Sequence, residues 1–154
     1  LCDEMLAGLA RWLRAAGYDT SLAEGGSADR GLIDRAAAEE RVLLTCDRKI
    51  LEIRGAEDWS FLLAGNGIDD WVRELSRRFP VDWNHRPFSR CLLCNSLLVD
   101  AQGVWSEDAP SGIEGIQGPF KRCPDCGRIY WEGGHVRRMR ARLSRFGETN
   151  GECS

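Results

Sequence analysis

Hydrophobic side chains recur in the first half of the chain at the three- and four-residue spacing of an amphipathic helix. This spacing predicts a helix over 5–16, which Gly17 can end in a left-handed conformation. Two more helices are predicted over 30–40 and 68–79, because apolar residues return there at the same spacing. A fourth, opened by His135 near the C-terminus, has a narrow apolar stripe and several arginines on its other faces.

Short apolar runs without helical spacing lie between the first three helices. The run at 42–45 is continuously apolar, which is typical of a strand covered on both faces. Residues 18–23 and 59–64 are further strand candidates, and residues 1–3 read as the end of another strand. Strands that alternate with helices predict a parallel sheet. The predicted fold class is therefore α/β, with a small three-layer domain over residues 1–86.

Four cysteines in the second half form two Cys-x-x-Cys pairs separated by 28 residues. The two-residue spacing lets both sulfurs of a pair face one tetrahedral ion, so the pattern predicts a structural zinc ribbon. A pair of redox motifs or two disulfides is the alternative interpretation. Zinc held by four thiolates has no open position for water and should not catalyse. The predicted ligands are Cys91, Cys94, Cys123 and Cys126.

The second half is predicted to be one module attached to the α/β domain. Polar residues and proline at 81–87 place the boundary after residue 86. The zinc ribbon and its C-terminal basic helix would then span 87–148, and 149–154 would be a flexible tail. The stretch between the cysteine pairs predicts an irregular hairpin, and a strand is predicted at 129–131.

Composition excludes several classes of protein. Apolar residues make up 43% and charged residues 29% of the chain, which is ordinary for a globular domain. No apolar run of about 18 residues and no signal-peptide pattern is present, so we expect a cytoplasmic protein with no membrane span. No phosphate-binding loop or dinucleotide fingerprint indicates an organic cofactor. The sequence does not indicate the oligomeric state.

Charge is unevenly distributed along the chain, although its formal net value is only −3. Residues 1–86 hold 12 basic and 16 acidic residues, a net charge of −4, whereas residues 119–146 hold 8 basic and 2 acidic residues, a net charge of +6. An acidic part beside a basic part suits an enzyme that uses metal ions on a polyanion. Solvated surface charge would give the same counts.

Carboxylates are predicted where the strands of the parallel sheet end. Asp3 and Asp47 each follow a predicted strand, and Asp29 can reach the same edge at the start of the second helix. Carboxylates held within about 5 Å repel by a few kcal/mol, so such a cluster normally contains a cation. Oxygen ligands favour Mg²⁺ or Mn²⁺, which support phosphodiester hydrolysis. Alternatively, Asp29 caps a helix, and Asp3 and Asp47 form turns.

The C-terminal region combines arginines with aromatic residues, which favours binding of single-stranded or structured RNA. Tyr130 and Trp131 directly precede the basic helix. A solvated helix is the alternative for the arginines, and Trp131 could instead cover the core of the ribbon. His135 could contact phosphate, orient a substrate or cap the helix. The predicted RNA contacts of this region are Arg128, His135, Arg137, Arg138, Arg140 and Arg142.

Motifs spread over nearly the whole chain carry a family resemblance. They lie at 3–6, 9–19, 44–48, 90–95, 123–131 and 134–135. In order and spacing these segments are together similar to the Mut-seven C-terminal RNase domain family. The resemblance implies a PIN-like nuclease fold with a C-terminal zinc ribbon, and a metal-dependent ribonuclease activity.

The resemblance also assigns roles to particular positions. It implies that Asp3, Asp29 and Asp47 are the PIN-type acids that hold one or two Mg²⁺ or Mn²⁺ ions. Cys46 departs from the family pattern, in which arginine is expected there, while the following Arg48 is retained. A later fourth acid is also missing from its expected place. Its substitutes would be Glu4, Asp69 or Asp70.

The sequence therefore predicts a metal-dependent ribonuclease that cuts RNA at a carboxylate cluster, with the zinc ribbon and basic helix holding the RNA. Arg11 and Arg14 share a helix face away from the apolar stripe. Together with Arg48 they would steer the RNA backbone if they line the sheet edge that carries the predicted carboxylates. The alternative hypothesis is a non-catalytic zinc-ribbon adaptor that binds RNA and uses the PIN-like part as a scaffold.

Overall fold

A parallel sheet forms the centre of the first half in this computed structural model, which describes residues 1–101 and 118–148. Strand β1 (Leu43–Thr45) pairs in parallel with β2 (Ser60–Leu62), with Leu44 opposite Phe61. Single parallel bridges place Cys2 beside Leu44 and Leu22 beside Cys2. The order across the sheet is therefore Leu22, Cys2, Leu44, Phe61. The prediction of a mixed α/β fold with a parallel sheet is confirmed.

The helices lie close to the predicted ranges, with ends that differ by one or two residues. Gly17, with φ of 103°, ends the first helix in the left-handed conformation expected for it. The predicted strand at 18–23 is reduced to the single bridge at Leu22. Two short 3₁₀ helices span Glu4–Leu6 and Arg48–Glu52. The α-helices are α1 (Ala7–Ala16), α2 (Asp29–Ala38), α3 (Ala56–Trp59), α4 (Ile68–Arg78) and α5 (Gly134–Glu148).

Helices cover both faces of the sheet. Successive residues of an extended segment point to opposite faces, and the core follows this rule. Leu1 and Leu43 belong to a smaller buried cluster with residues of α2 and α3. Their neighbours Cys2 and Leu44 belong to a larger cluster with residues of α1, α4 and α5. The sheet is thus the middle of three layers.

The larger buried cluster continues across the predicted boundary at residue 86. Trp83, in the segment predicted to separate the two parts, has no exposed surface. The cluster joins Leu9 of α1 to Cys91, Cys123 and Leu143. The two parts therefore share one core, and the division into 1–86 and 87–148 stays a prediction.

The second half contains a small antiparallel sheet around the cysteine pairs. Its order is β3 (Val99–Asp100), β4 (Lys121–Arg122), β5 (Ile129–Tyr130). The middle of the predicted hairpin, residues 102–117, and the predicted tail, residues 149–154, lie outside the described residues.

Helix α5 packs one stripe into the shared core. Met139, Leu143 and Phe146 are buried as its spacing predicts. The Phe146 ring meets Trp12 and Trp83 edge to face, with ring centroids 5.3 Å apart in each pair. The arginine-rich helix is thus fixed to the α/β layers. In the described part of the chain, no helix is both long and apolar enough to span a membrane.

Candidate functional site

The four cysteines of the two pairs converge on one point. Their sulfur atoms all lie within 4.8 Å of one another. The Sγ atoms of Cys91 and Cys126 are 3.6 Å apart, and those of Cys94 and Cys123 are 3.2 Å apart. Tetrahedral zinc with Zn–S bonds of about 2.3 Å requires sulfur atoms about 3.8 Å apart. The sulfur geometry therefore fits one zinc ion held by four thiolates.

Each cysteine pair lies in a tight turn with matching hydrogen bonds. The Asn95 N–H bonds back to the Cys91 carbonyl at 3.0 Å, and the Gly127 N–H bonds to the Cys123 carbonyl at 3.0 Å. Asn95 and Gly127 both adopt the left-handed conformation, with φ of 70° and 72°. Asparagine and glycine are the residues that tolerate this conformation best. Local sequence thus bends each pair so that its two sulfurs can face the same ion.

The hydroxyl of Tyr130 supports the first pair from inside the core. It accepts a hydrogen bond from the Leu92 N–H at 2.9 Å and donates to the Cys91 sulfur at 3.2 Å. Burial opposes ionisation of Cys91. Hydrogen bonds from the Cys94 and Leu93 N–H groups and from Tyr130 outweigh burial and lower the pKa of this thiol to about 6. A thiolate is the form that binds zinc, so the turn favours the ligand state.

Arg14 joins the first cysteine turn to the α/β layers. Only 5% of the residue is exposed. Its Nε donates to the Thr20 carbonyl at 2.8 Å, and its Nη1 donates to the carbonyls of Leu92 at 3.0 Å and Leu93 at 2.6 Å. The prediction that Arg14 contacts RNA is wrong, because burial and three hydrogen bonds to carbonyl groups keep its guanidinium from solvent. Arg14 is a structural link.

Asn95 forms a second link at the same place. Its Oδ1 accepts from the Thr20 N–H at 3.0 Å, and its Nδ2 donates to Asp19 at 2.6 Å. Hydrogen bonds from Arg41, at 2.9 Å, and from Asn95 lower the pKa of Asp19 to about 2. The cysteine turn and the segment before Leu22 are therefore held together by charged and neutral hydrogen bonds.

Two of the predicted acids lie together at the carboxyl edge of the parallel sheet, which we call the rim. Asp3 follows the central segment at Cys2, and Asp47 follows the neighbouring strand β1. The Thr45 hydroxyl donates to Asp3 Oδ2 at 2.9 Å and accepts from the Asp47 N–H at 3.0 Å. The Leu22 segment pairs on one side of the central Cys2 segment, and strand β1, which comes later in the chain, pairs on the other side. The strand order therefore reverses beside Cys2, and such a topological switch point is where parallel sheets bind ligands.

Asp29 is not part of a converged group with these two acids. It is the first residue of α2 and half-buried, and the helix cap before it is Ala28, so the alternative reading as a cap is wrong. The loop before α2 is tied to the rim, because the Gly26 N–H donates to Glu4 Oε2 at 3.2 Å. Within residues 1–101 and 118–148, the four cysteines are the one group of three or more His, Cys, Asp or Glu side chains whose ligand atoms lie close enough to share a metal ion.

Glu74 is a carboxylate at this rim that the sequence did not single out. Its two oxygens accept from the Ala64 N–H at 2.8 Å and the Gly65 N–H at 2.5 Å, just after β2. Burial, together with the charges of Asp3 and Glu74, raises the pKa of the Cys46 thiol. On sequence alone Glu74 belongs to the wet side of α4, and no local signal distinguishes it there.

The later acids considered as substitutes for a fourth ligand already have partners in the protein. Asp69 pairs with Arg142 at 2.9 Å, and Asp70 pairs with Arg73 on its own helix. Asp70 also accepts from the Asn66 N–H at 3.0 Å. Both acids are therefore already held by groups of the protein itself.

The basic residues predicted to bind RNA divide into two sets. Arg11, Arg128, His135 and Arg137 line one groove of about 710 Å³ between α1, the zinc ribbon and the first turn of α5. Trp131 lines it as well. The structure thus brings four predicted contacts onto a single surface.

The other arginines are placed differently. Arg140 donates to Glu132 at 2.5 Å and lies over the Phe88 ring, so its guanidinium is already paired with an acid of the protein. Arg142 binds Asp69 and lies over Trp12. Arg138 is exposed beside the groove, and Arg48 is exposed directly after Asp47.

The fold and the cysteine geometry define a mixed α/β protein with a parallel sheet and a cluster of four cysteines that could hold a zinc ion. The model of the Mut7-C RNAse domain matches residues 1–143, nearly the whole chain, and the chain belongs to that family. The family description points to a ribonuclease-like hydrolase, and so to RNA as the substrate. Searches of curated proteins and of solved structures found no match.

Proposed function

We propose that this protein is a metal-dependent ribonuclease with a PIN-like α/β domain, cutting RNA at the rim formed by Asp3 and Asp47. Its main support is the placement of these two residues at adjacent strand ends, at the switch point of the sheet, where the Thr45 hydroxyl links the Asp3 carboxylate to the Asp47 backbone N–H. Asp29 begins a helix whose preceding loop is tied to the same rim, so it remains the proposed third acid.

The rim suits a hard divalent cation. Asp3 is only 9% exposed, and in the part of the chain that the structure describes none of the three acids forms an ion pair. A nearly buried carboxylate without a cationic partner is costly, and carboxylate oxygens are the ligands that Mg²⁺ and Mn²⁺ favour. When bound, such an ion activates water and offsets charge on the phosphate.

The side chains of this chain would supply the rest of the reaction. Asp3 and Asp47 would hold the ion. The Thr45 hydroxyl holds the Asp3 carboxylate and the Asp47 backbone N–H, and the Lys49 N–H holds the Asp47 carboxylate. The exposed Arg48 would hold a phosphate beside Asp47. By analogy with PIN-like folds, cleavage would leave a 5′-phosphate and a 3′-hydroxyl.

The zinc ribbon and α5 would hold the RNA. The proposed contacts are the groove residues Arg11, Arg128, His135 and Arg137, with Arg138 beside them. Arg140 and Arg142 already bind acids of the protein, so their contribution should be smaller. Zinc itself would be structural, because four thiolates leave no open position.

Replacing Asp47 by asparagine should separate the nuclease from the adaptor hypothesis. Asparagine can still accept the Lys49 N–H bond, 2.9 Å in the native turn, so the fold should persist. Loss of one carboxylate ligand should lower the cleavage rate of RNA in Mn²⁺ about 100-fold. A gel assay of labelled RNA measures this.

Glu52→Gln is the matched control, because it removes an exposed carboxylate at the end of the same 3₁₀ segment. It should cleave at the native rate. An Asp47→Asn protein that cleaves RNA as fast as the native chain would refute the catalytic assignment and favour the adaptor.

A further inference from the structure

The groove beside the zinc ribbon combines unpaired positive charge with an apolar wall. We propose that it binds unpaired nucleotides, with a base against Trp131 and phosphates on Arg11, Arg128 and Arg137. This inference rests on the proposed ribonuclease function and names its substrate class as single-stranded RNA. The groove volume of about 710 Å³ falls within the range of about 300–1,000 Å³ typical of ligand pockets.

The charge of the groove matches a phosphate backbone. Within residues 1–101 and 118–148, Arg11, Arg128 and Arg137 form no ion pair. The acid in the wall, Glu132, is bound to Arg140 at 2.5 Å. The three free guanidinium groups therefore leave the groove with a net positive charge.

The apolar wall is the feature that selects unpaired bases. Leu93, 50% exposed, lies in the groove with Leu92, Ile129 and Val136. A duplex offers its outer surface of phosphates and sugars, because its bases are stacked inside. An unpaired strand can turn its bases onto aromatic and apolar side chains.

Trp131 is held so that its ring can act as a platform. A Cβ added at Gly133 would lie 2.6 Å from the indole Nε1, so the ring packs directly against the glycine backbone. The ring also borders a second, smaller cavity of about 90 Å³ with Lys121 and Arg140. The half-buried Trp131 thus lines both cavities, and each of them also holds basic side chains.

Binding of labelled oligonucleotides to the full chain tests the proposal. The probes are an oligouridine of about eight nucleotides, the same backbone without bases, and a blunt-ended duplex. The buffer contains zinc-loaded protein and no added Mg²⁺ or Mn²⁺, so the RNA stays intact. The oligouridine should bind about 5- to 100-fold more tightly than the abasic strand, because stacking is lost without bases.

Variants of the groove separate stacking from charge. Trp131→Leu should weaken oligouridine binding about 5- to 100-fold and leave abasic binding unchanged, whereas Trp131→Phe should retain most of the affinity. Gly133→Ala should weaken it as well, because the new methyl group displaces the ring without changing any charge. Arg128→Gln should lower the slope of log affinity against log salt by about 0.7.

Several outcomes would overturn the proposal. They are equal affinity for oligouridine and blunt duplex, equal affinity for the abasic strand, or a poly-glutamate peptide that binds as tightly as RNA. Native affinity of both Trp131→Leu and Gly133→Ala for oligouridine would also overturn the proposal. Zinc content and thermal melting show whether each variant is folded. Trp131-dependent binding without cleavage in Mn²⁺ would contradict only the ribonuclease proposal, and cleavage without Trp131-dependent binding would contradict only this inference.

Discussion

Replacing Cys123 by serine, or removing zinc with a chelator, is expected to unfold the α/β layers as well as the ribbon. Cys91 and Cys123 have no exposed surface and belong to the same buried cluster as Leu9 and Leu143. Structural zinc contributes about 10–16 kcal/mol in small zinc peptides, as much as the whole stability of a typical domain. Losing it should therefore leave this chain largely unfolded near room temperature.

Far-UV circular dichroism and tryptophan fluorescence measure this prediction together, because Trp12 and Trp83 report on the shared core. Both signals should change in one transition, and adding Zn²⁺ but not Mg²⁺ should restore the chelated protein. Metal analysis should find one zinc per native chain and none in Cys94→Ser. Cys46→Ser is the control, since this thiol lies outside the quartet. Two separate transitions, with the α/β part unchanged without zinc, would contradict the shared core.

Asp3→Asn should abolish most RNA cleavage and spare the fold. The asparagine Oδ1 can still accept the Thr45 hydroxyl, which is 2.9 Å from the native carboxylate. Asp3 follows the central segment of the sheet and is nearly buried, so its charge should matter more to a bound cation than the more exposed Asp47. A loss of about 4 kcal/mol of transition-state stabilisation corresponds to a rate about 1,000-fold lower.

Single-turnover cleavage of labelled RNA in Mn²⁺ measures the effect. Asp34→Asn is the matched control, because its carboxylate is 61% exposed on α2 and, among the residues that the structure describes, pairs with Arg30 alone. It should cleave RNA at the native rate. Thermal melting should place Asp3→Asn within a few degrees of the native chain. Undiminished cleavage by Asp3→Asn would remove the rim from the mechanism.

Residue spacing was enough to predict much of this fold. The apolar stripes of α1, α4 and α5 follow helical spacing, and the run that forms β1 lacks it. The geometry of the cysteine pairs is likewise set by nearby residues, because Asn95 and Gly127 close the two turns. These features depend on neighbours a few residues apart, which is the range over which sequence patterns are informative.

Contacts between distant segments were not predictable in this way. Arg14 has the spacing of an exposed helix residue, yet it binds the Leu92 carbonyl 78 residues later. Glu74 likewise has the spacing of a solvated position, but the turn after β2 brings two backbone N–H groups to its carboxylate. In both cases the partner is a backbone group, which leaves no trace in side-chain patterns.

The cysteines and the carboxylates have complementary roles in the proposal. Zinc would fix the two cysteine turns, and Arg14 and Asn95 tie the first of them to the α/β layers. The same ribbon forms one wall of the basic groove. The closed metal site would thus position RNA, and the acidic rim would cut it.

Crystals of the full chain soaked in Mn²⁺, with diffraction collected at the manganese edge, would show whether the acidic rim binds a catalytic ion. We expect an anomalous peak coordinated by the carboxylates of Asp3 and Asp47, apart from the zinc peak at the four cysteines. Manganese bound away from both carboxylates, in protein that hydrolyses RNA under the same conditions, would contradict it.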